Sequence, residues 1–145
     1  MEILSKPSVY AIRALLYLVA REKENDIVSI RELATELGIS FHFLTKILQK
    51  LSEKGIIQSS RGATGGVILK RSSASIRMSE IVSIIEGHEF FEKCILGLPG
   101  CGNKKPCPMH DFWKETKSSI KHMLETTTLK EMGRKTKTKN LRLVP

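Results

Sequence analysis

The stretch from Ser29 to Leu69 limits the possible folds more than any other part of the chain. Ser29 stands three residues before Glu32, the S-x-x-E spacing of a capping box, and Leu33, Ala34 and Leu37 mark the inner face of a short helix. Gly38 suits a left-handed stop to that helix, because it has no Cβ to clash. Ser40 can cap a second helix running from about Phe41 to Lys54, with Phe43 or Leu44, Ile47, Leu48 and Leu51 at steps of three and four. Gly55 ends it. The pattern predicts two short helices joined by a tight turn, the second amphipathic and bearing Lys46 and Lys50, which is a helix-turn-helix.

The next fifteen or so residues narrow the choice. Ile56 to Ser60 reads as a strand, Arg61-Gly62-Ala63-Thr64-Gly65-Gly66 as a turn and Val67 to Leu69 as a returning strand. A hairpin directly after the second helix is the layout of a winged helix. The turn glycines let the backbone approach a phosphate, and Arg61 can enter a minor groove or pair with phosphate. The plainer alternative is a glycine-rich hairpin with a solvated arginine. The segment is not a nucleotide-binding loop, since it lacks the P-loop lysine and lies in a hairpin. Between Ser40 and Arg71, six basic residues (Lys46, Lys50, Lys54, Arg61, Lys70, Arg71) face one acid, Glu53. Such a balance on a helix-and-wing layout points to double-stranded DNA. The expected contacts are Ser40, His42, Thr45 and Lys46 at bases or phosphates, Gln49 and Lys50 further along the backbone, and Arg61 with the Gly65-Gly66 backbone at the minor groove.

Composition agrees with this direction. The 145 residues carry 24 Lys and Arg against 15 Asp and Glu, a formal charge of +9, which favours a polyanionic partner. No apolar run reaches the roughly 18 residues of a membrane span; Val9 to Ala20 is short and contains Arg13. No signal-peptide order opens the chain, so a soluble, cytoplasmic protein is expected.

Around this unit, Val9, Ile12, Leu15, Leu16 and Val19 predict a first helix after Pro7, and Met78, Ile81, Val82 and Ile85 a short one closed by Gly87. Lys93 to Trp113 holds all three cysteines in the spacing C-x6-C-x5-C-x2-H: Cys94, Cys101, Cys107 and His110. Three thiols and an imidazole can complete four positions around zinc or an iron–sulfur cluster. An odd number of thiols cannot pair off completely, and the absence of C-x-x-C argues against a thiol-exchange enzyme. Phe112, Ile120, Met123 and Leu124 then predict a long helix to about Thr127, with more apolar surface than a small winged domain needs. That excess favours a dimer over packing on the first helix alone. From Lys130 to Pro145, six basic residues and one acid read as a disordered tail. The expected fold is mainly α with a small β-hairpin wing: a winged helix-turn-helix over 1–87, a cysteine loop and dimerisation helix over 88–129, and the tail over 130–145.

Several of these residues together resemble the Rrf-two family of bacterial winged-helix regulators. They are Tyr10-Ala11, Ile39-Ser40, Leu44 with Leu51, Ser60-Arg61-Gly62 before Gly65-Gly66, Ile81-Val82 before Glu86-Gly87, and Thr128-Leu129. That family includes a cluster assembly regulator, a nitric-oxide-responsive repressor and a cysteine-metabolism repressor. The resemblance implies a homodimeric transcription regulator on palindromic operator DNA, with no catalytic activity and no small-molecule substrate. It also implies a cluster, [2Fe–2S] ahead of [4Fe–4S], ligated by Cys94, Cys101 and Cys107. His110 falls at the histidine ligand of the cluster assembly regulator. Ser8 falls where the nitric-oxide sensor supplies a carboxylate, which favours His110 as the fourth ligand. The gap between Cys94 and Cys101 is six residues, where the family's sensors usually have five, and Thr45 replaces a glutamate of the cluster assembly regulator. The alternatives are a zinc-binding or cofactor-free member acting through a protein partner or thiols, and a zinc-stabilised structural protein.

Overall fold

The computed structural model describes residues 3–102 and 104–138. Their elements run α1 (Lys6–Val19), α2 (Ile30–Leu37), α3 (Phe41–Glu53), β1 (Ile57–Ser60), β2 (Gly66–Leu69), α4 (Met78–Glu86), α5 (His110–Thr126) and α6 (Leu129–Thr138). Short 3-10 turns lie at Glu22–Glu24, Ser73–Ser75 and His88–Glu92. The arrangement is the expected winged helix-turn-helix followed by a long helix.

Helix α1 starts where the Ser5 side chain accepts the Ser8 N–H, with Pro7 in the first turn. Its buried residues Ala11, Ala14, Leu15 and Leu18 meet Leu33, Leu44, Leu48 and Leu51 from α2 and α3 in one core. Ser29 caps α2 by accepting the Glu32 N–H at 3.0 Å. The return half of the capping box is replaced: the Glu32 carboxylate accepts from the Tyr17 hydroxyl at 3.1 Å and pairs with Arg21 at 2.8 Å. Gly38 takes the left-handed conformation at φ 63°, and the Arg13 guanidinium donates to the Leu37 carbonyl at 2.9 Å. These bonds fix the α2–α3 turn against α1.

The wing is an antiparallel pair with Ile57 opposite Leu69 and Ser60 opposite Gly66. Val28 extends it by a bridge to Val67, with N–H to O distances of 3.0 and 2.8 Å in the two directions. This corrects the sequence reading of Gly66 as a DNA-facing residue. Gly66 is buried, and a Cβ there would strike the Val28 carbonyl. Its lack of a side chain serves the approach of two backbones inside the sheet.

The basic segment from Lys130 also departs from expectation. Its beginning forms α6 rather than a disordered tail. Leu129 is fully buried, Met132 packs on the core, and Gly133 lies so close to Val19 that a Cβ would overlap that side chain. Steps of three and one place these residues on one helical face, and their burial against α1 outweighs the surrounding lysines. The expectation for residues 139–145 lies outside the described residues.

The chain returns from α5 to this core through a short backbone pairing. Met78 N–H donates to the Thr127 carbonyl at 3.0 Å, and Leu129 N–H to the Ile76 carbonyl at 2.9 Å. Helix α5 is therefore joined at its C-terminal end to the start of α4, which packs on α1 and α3.

Candidate nucleic-acid interface and metal-ligand loop

Helix α3 buries Leu44, Ile47, Leu48 and Leu51 and turns the opposite side outward. Ser40, His42, Lys46, Gln49 and Lys50 are all exposed, while Thr45 is half-buried. Ser40 stands at the N-cap without a side-chain capping bond, so its hydroxyl stays available. The Thr45 hydroxyl donates to the Phe41 carbonyl at 2.7 Å, leaving its oxygen and methyl to a partner. Phe43 packs edge-on against Tyr10 at 5.7 Å and belongs with the α1–α3 contact. Arg61 is exposed where β1 ends, Gly65 is half-buried behind it, and Gly66 is withdrawn into the sheet. The structure thus brings one face of α3 and, just past the end of β1, the wing's Arg61 to the surface.

The second site is the loop between α4 and α5. Cys94 and Cys107 approach at Sγ–Sγ 3.7 Å, and Cys101 Sγ lies 3.8 Å from His110 Nδ1. Cys94 and Cys101 also interact with each other. The loop is held by three main-chain acceptors: Gly97 N–H donates to Cys94 at 3.0 Å, His110 N–H to Cys107 at 2.9 Å, and the Trp113 indole N–H to Lys93 at 2.8 Å. His110 is the first residue of α5 and is 8% exposed; the three cysteines are partly exposed. Backbone N–H groups of Leu96 and Leu98 aimed at Cys94 hold its thiol below the ordinary value. Cys107 is pushed up, first by partial removal from water and then by the neighbouring Cys94 sulfur.

Among the described residues no three His, Cys, Asp or Glu side chains form a finished metal cage. The donors instead cluster with Cys94 beside Cys107 and Cys101 beside His110, and Cys94 also interacts with Cys101. Two thiolates about 2.3 Å from a tetrahedral ion are about 3.8 Å apart, the spacing of Cys94 and Cys107, and a thiolate and an imidazole are about 3.5 Å apart, a few tenths of an ångström inside the Cys101–His110 distance. The donor set fits a soft or borderline metal. Ser8 takes no part: it is fully buried and donates to Glu86 Oε1 at 2.6 Å. That engagement is set by a residue 78 positions away and has no local sequence signal.

Beside the loop runs an apolar groove of about 500 Å3, lined among others by Phe90, Ile95, Met109, Phe112 and Ile120. Phe112 is 72% exposed and Met123 56%, so α5 presents large apolar side chains outward.

Both sites lie within a stretch that this chain shares with known proteins. The Rrf2 profile, described as an iron-dependent transcriptional regulator, matches residues 4–135. The chain belongs to the Rrf2 family. Another family member, the HTH-type transcriptional regulator IscR of Klebsiella pneumoniae, is 28% identical over 123 residues, covering 85% of this chain and 74% of that protein. The solved structure of CymR, the global cysteine regulator of B. subtilis, has a TM-score of 0.75 at 23% identity, over 92% of this chain and 98% of that one. That of T. potens IscR has a TM-score of 0.74 at 23% identity, over 96% and 91%. These two share the fold. As an Rrf2 protein the chain is a DNA-binding transcriptional regulator with a winged helix, and not an enzyme. No helix among the described residues is long and apolar enough to cross a membrane.

Proposed function

We propose that this Rrf2 regulator is a homodimer whose affinity for a palindromic operator is set by an iron–sulfur cluster on Cys94, Cys101, Cys107 and His110. The observation that carries the reading is the pairing of the four donors, Cys94 with Cys107 and Cys101 with His110, at 3.7 and 3.8 Å. Two ligand pairs suit two metal ions with two protein ligands each, which favours [2Fe–2S] over [4Fe–4S]. The cluster, when bound, supplies sensitivity to oxidants, nitric oxide or iron supply.

The chain's own residues carry that state toward DNA. His110 is both a ligand candidate and the first residue of α5, so its tether sets the first turn of that helix. The far end of α5 is bonded through Thr127 to Met78 at the head of α4, and α4 packs on α3. A change at the loop is thereby passed along packed helices to the recognition helix. Such coupling works only if the two loop states favour different arrangements of the two recognition helices. The exposed apolar side of α5, with Phe112 and Met123, is the surface that a second copy covers in this reading. In a two-fold dimer the two α3 helices would read half-sites one DNA turn, or a multiple of it, apart on a palindrome.

The test is a comparison of anaerobically purified protein with chelator-stripped protein on the same duplex, over a range of salt, with mass measured in solution. The reading expects a dimer and different operator affinities for the two forms. Equal affinities for every duplex at every salt concentration would remove the sensing role, and a zinc-containing, iron-free protein would replace the cluster by a structural metal.

A further inference from the structure

An exposed arginine stands at the head of α3. Arg31, exposed in the first turn of α2, holds its guanidinium over the Phe41 ring, 5.5 Å from the centroid. Phe41 is the first residue of α3, is 40% exposed, and also meets the His42 ring edge-on at 5.7 Å. Arg31 and Phe41 rim a surface notch of about 390 Å3 beside the α2–α3 turn, shared with Gly38 and Ile39.

Other arginines are engaged within the chain. Arg13 donates to Leu37, Arg21 pairs with Glu32, Arg71 grips Glu80 with two nitrogens, and Arg77 reaches the Thr126 carbonyl. Among the described residues, the guanidinium groups of Arg31 and Arg61 make neither an ion pair nor a hydrogen bond, so their donors remain open. Arg61 is at the wing and Arg31 at the head of α3, the helix that a helix-turn-helix lays in the major groove.

The position of Arg31 is also unfavourable for the isolated protein. It sits at the second residue of α2 and over the first residue of α3, next to two helix N-termini, where positive charge is disfavoured. A ring stack holds it there instead of a carboxylate. Aromatic stacking orients a guanidinium without consuming its N–H donors, which suits it to phosphate.

We propose that Arg31 is a phosphate anchor for duplex DNA, oriented by its stack on Phe41. This rests on the reading of α3 as the recognition helix. The contact is to the backbone, so it is independent of base sequence.

The experiment measures binding of a fluorescein-labelled, random-sequence duplex of about 30 base pairs by anisotropy over a series of salt concentrations. For Arg31→Gln, affinity at low salt falls on the order of tenfold. The slope of log affinity against log salt falls by about 0.9. Its thermal midpoint is unchanged or raised. Arg31→Lys keeps the slope, and Phe41→Leu keeps it while weakening binding roughly two- to fivefold. If Arg31→Gln leaves affinity and slope unchanged while Lys46→Gln lowers both, the anchor is excluded and the role of α3 stands. If neither variant moves the slope, the reading of α3 fails and the anchor with it. A lowered thermal midpoint in both Arg31 variants would make the residue structural and overturn the proposal.

Discussion

Ser8 Oγ donates to Glu86 Oε1 at 2.6 Å, and the same carboxylate oxygen accepts the Ser5 N–H at 2.8 Å. The bonds tie the start of α1 to the end of α4, directly before the segment that leads into the cysteine loop. Partial burial raises the Glu86 pKa, but the hydrogen bonds from Ser5 and Ser8, with help from Lys93, outweigh it and hold the carboxyl below its ordinary 4.5. The pairing therefore stabilises the fold above pH 4.5, and that contribution fades as pH falls through the lower folded value. Glu86→Gln is expected to cost about 1–2 kcal/mol near neutral pH. Urea unfolding of both proteins at stepped pH checks this: the gap between wild type and variant should narrow as pH drops below 4.5. A gap that stays constant down to low pH would show that the charge of Glu86 has no part in it.

Leu129 opens α6 and is fully buried. If α6 belongs to the core, Leu129→Ala costs about 2–5 kcal/mol of stability. Denaturant titration reads the loss directly. A shift within about 0.5 kcal/mol, the ordinary size of a surface change, would return this segment to the role of a loose tail.

Gly66 lies against the Val28 backbone, with no room for a Cβ. Gly66→Ala forces a methyl group against the Val28 carbonyl and is expected to destabilise the protein by about 1–3 kcal/mol, as overpacking generally does. Thermal unfolding measures it. A glycine that served only the approach to DNA would instead leave stability intact and lower affinity alone.

Thr45 has its hydroxyl hydrogen bonded to the Phe41 carbonyl. It can therefore offer DNA a methyl group and an acceptor, and thymine methyl contact is within its reach. Thr45→Val should select the same duplex from a randomised pool as wild type, with affinity within about threefold. A changed preferred sequence would mean that the hydroxyl itself reads a base.

Much of this architecture is legible in the sequence because it is local. Ser29, Gly38 and Ser40 mark helix ends through their own backbone preferences, and the α3 stripe from Leu44 to Leu51 needs only helical spacing. Long-range relationships left no such trace. Glu32 reads as the partner of Ser29 but bonds Tyr17 and Arg21, because tertiary neighbours offered stronger donors. Gly66 looks like a turn glycine until Val28 is placed beside it. The lysines of α6 conceal Leu129, Met132 and Gly133, which carry its packing. At the candidate metal site, the spacing of Cys94, Cys101, Cys107 and His110 shows the donor set. Which donor stands beside which depends on how the glycine- and proline-rich loop folds back onto the first turn of α5.

Whether Cys94, Cys101, Cys107 and His110 hold an iron–sulfur cluster is decided by iron, acid-labile sulfide and zinc analysis with visible absorption, on anaerobically purified wild type and His110→Ala. A [2Fe–2S] cluster predicts a brown wild-type protein with about two irons and two sulfides per chain. His110→Ala should lose cluster or shift its spectrum. A colourless wild-type protein holding about one zinc per chain and no sulfide would contradict the claim.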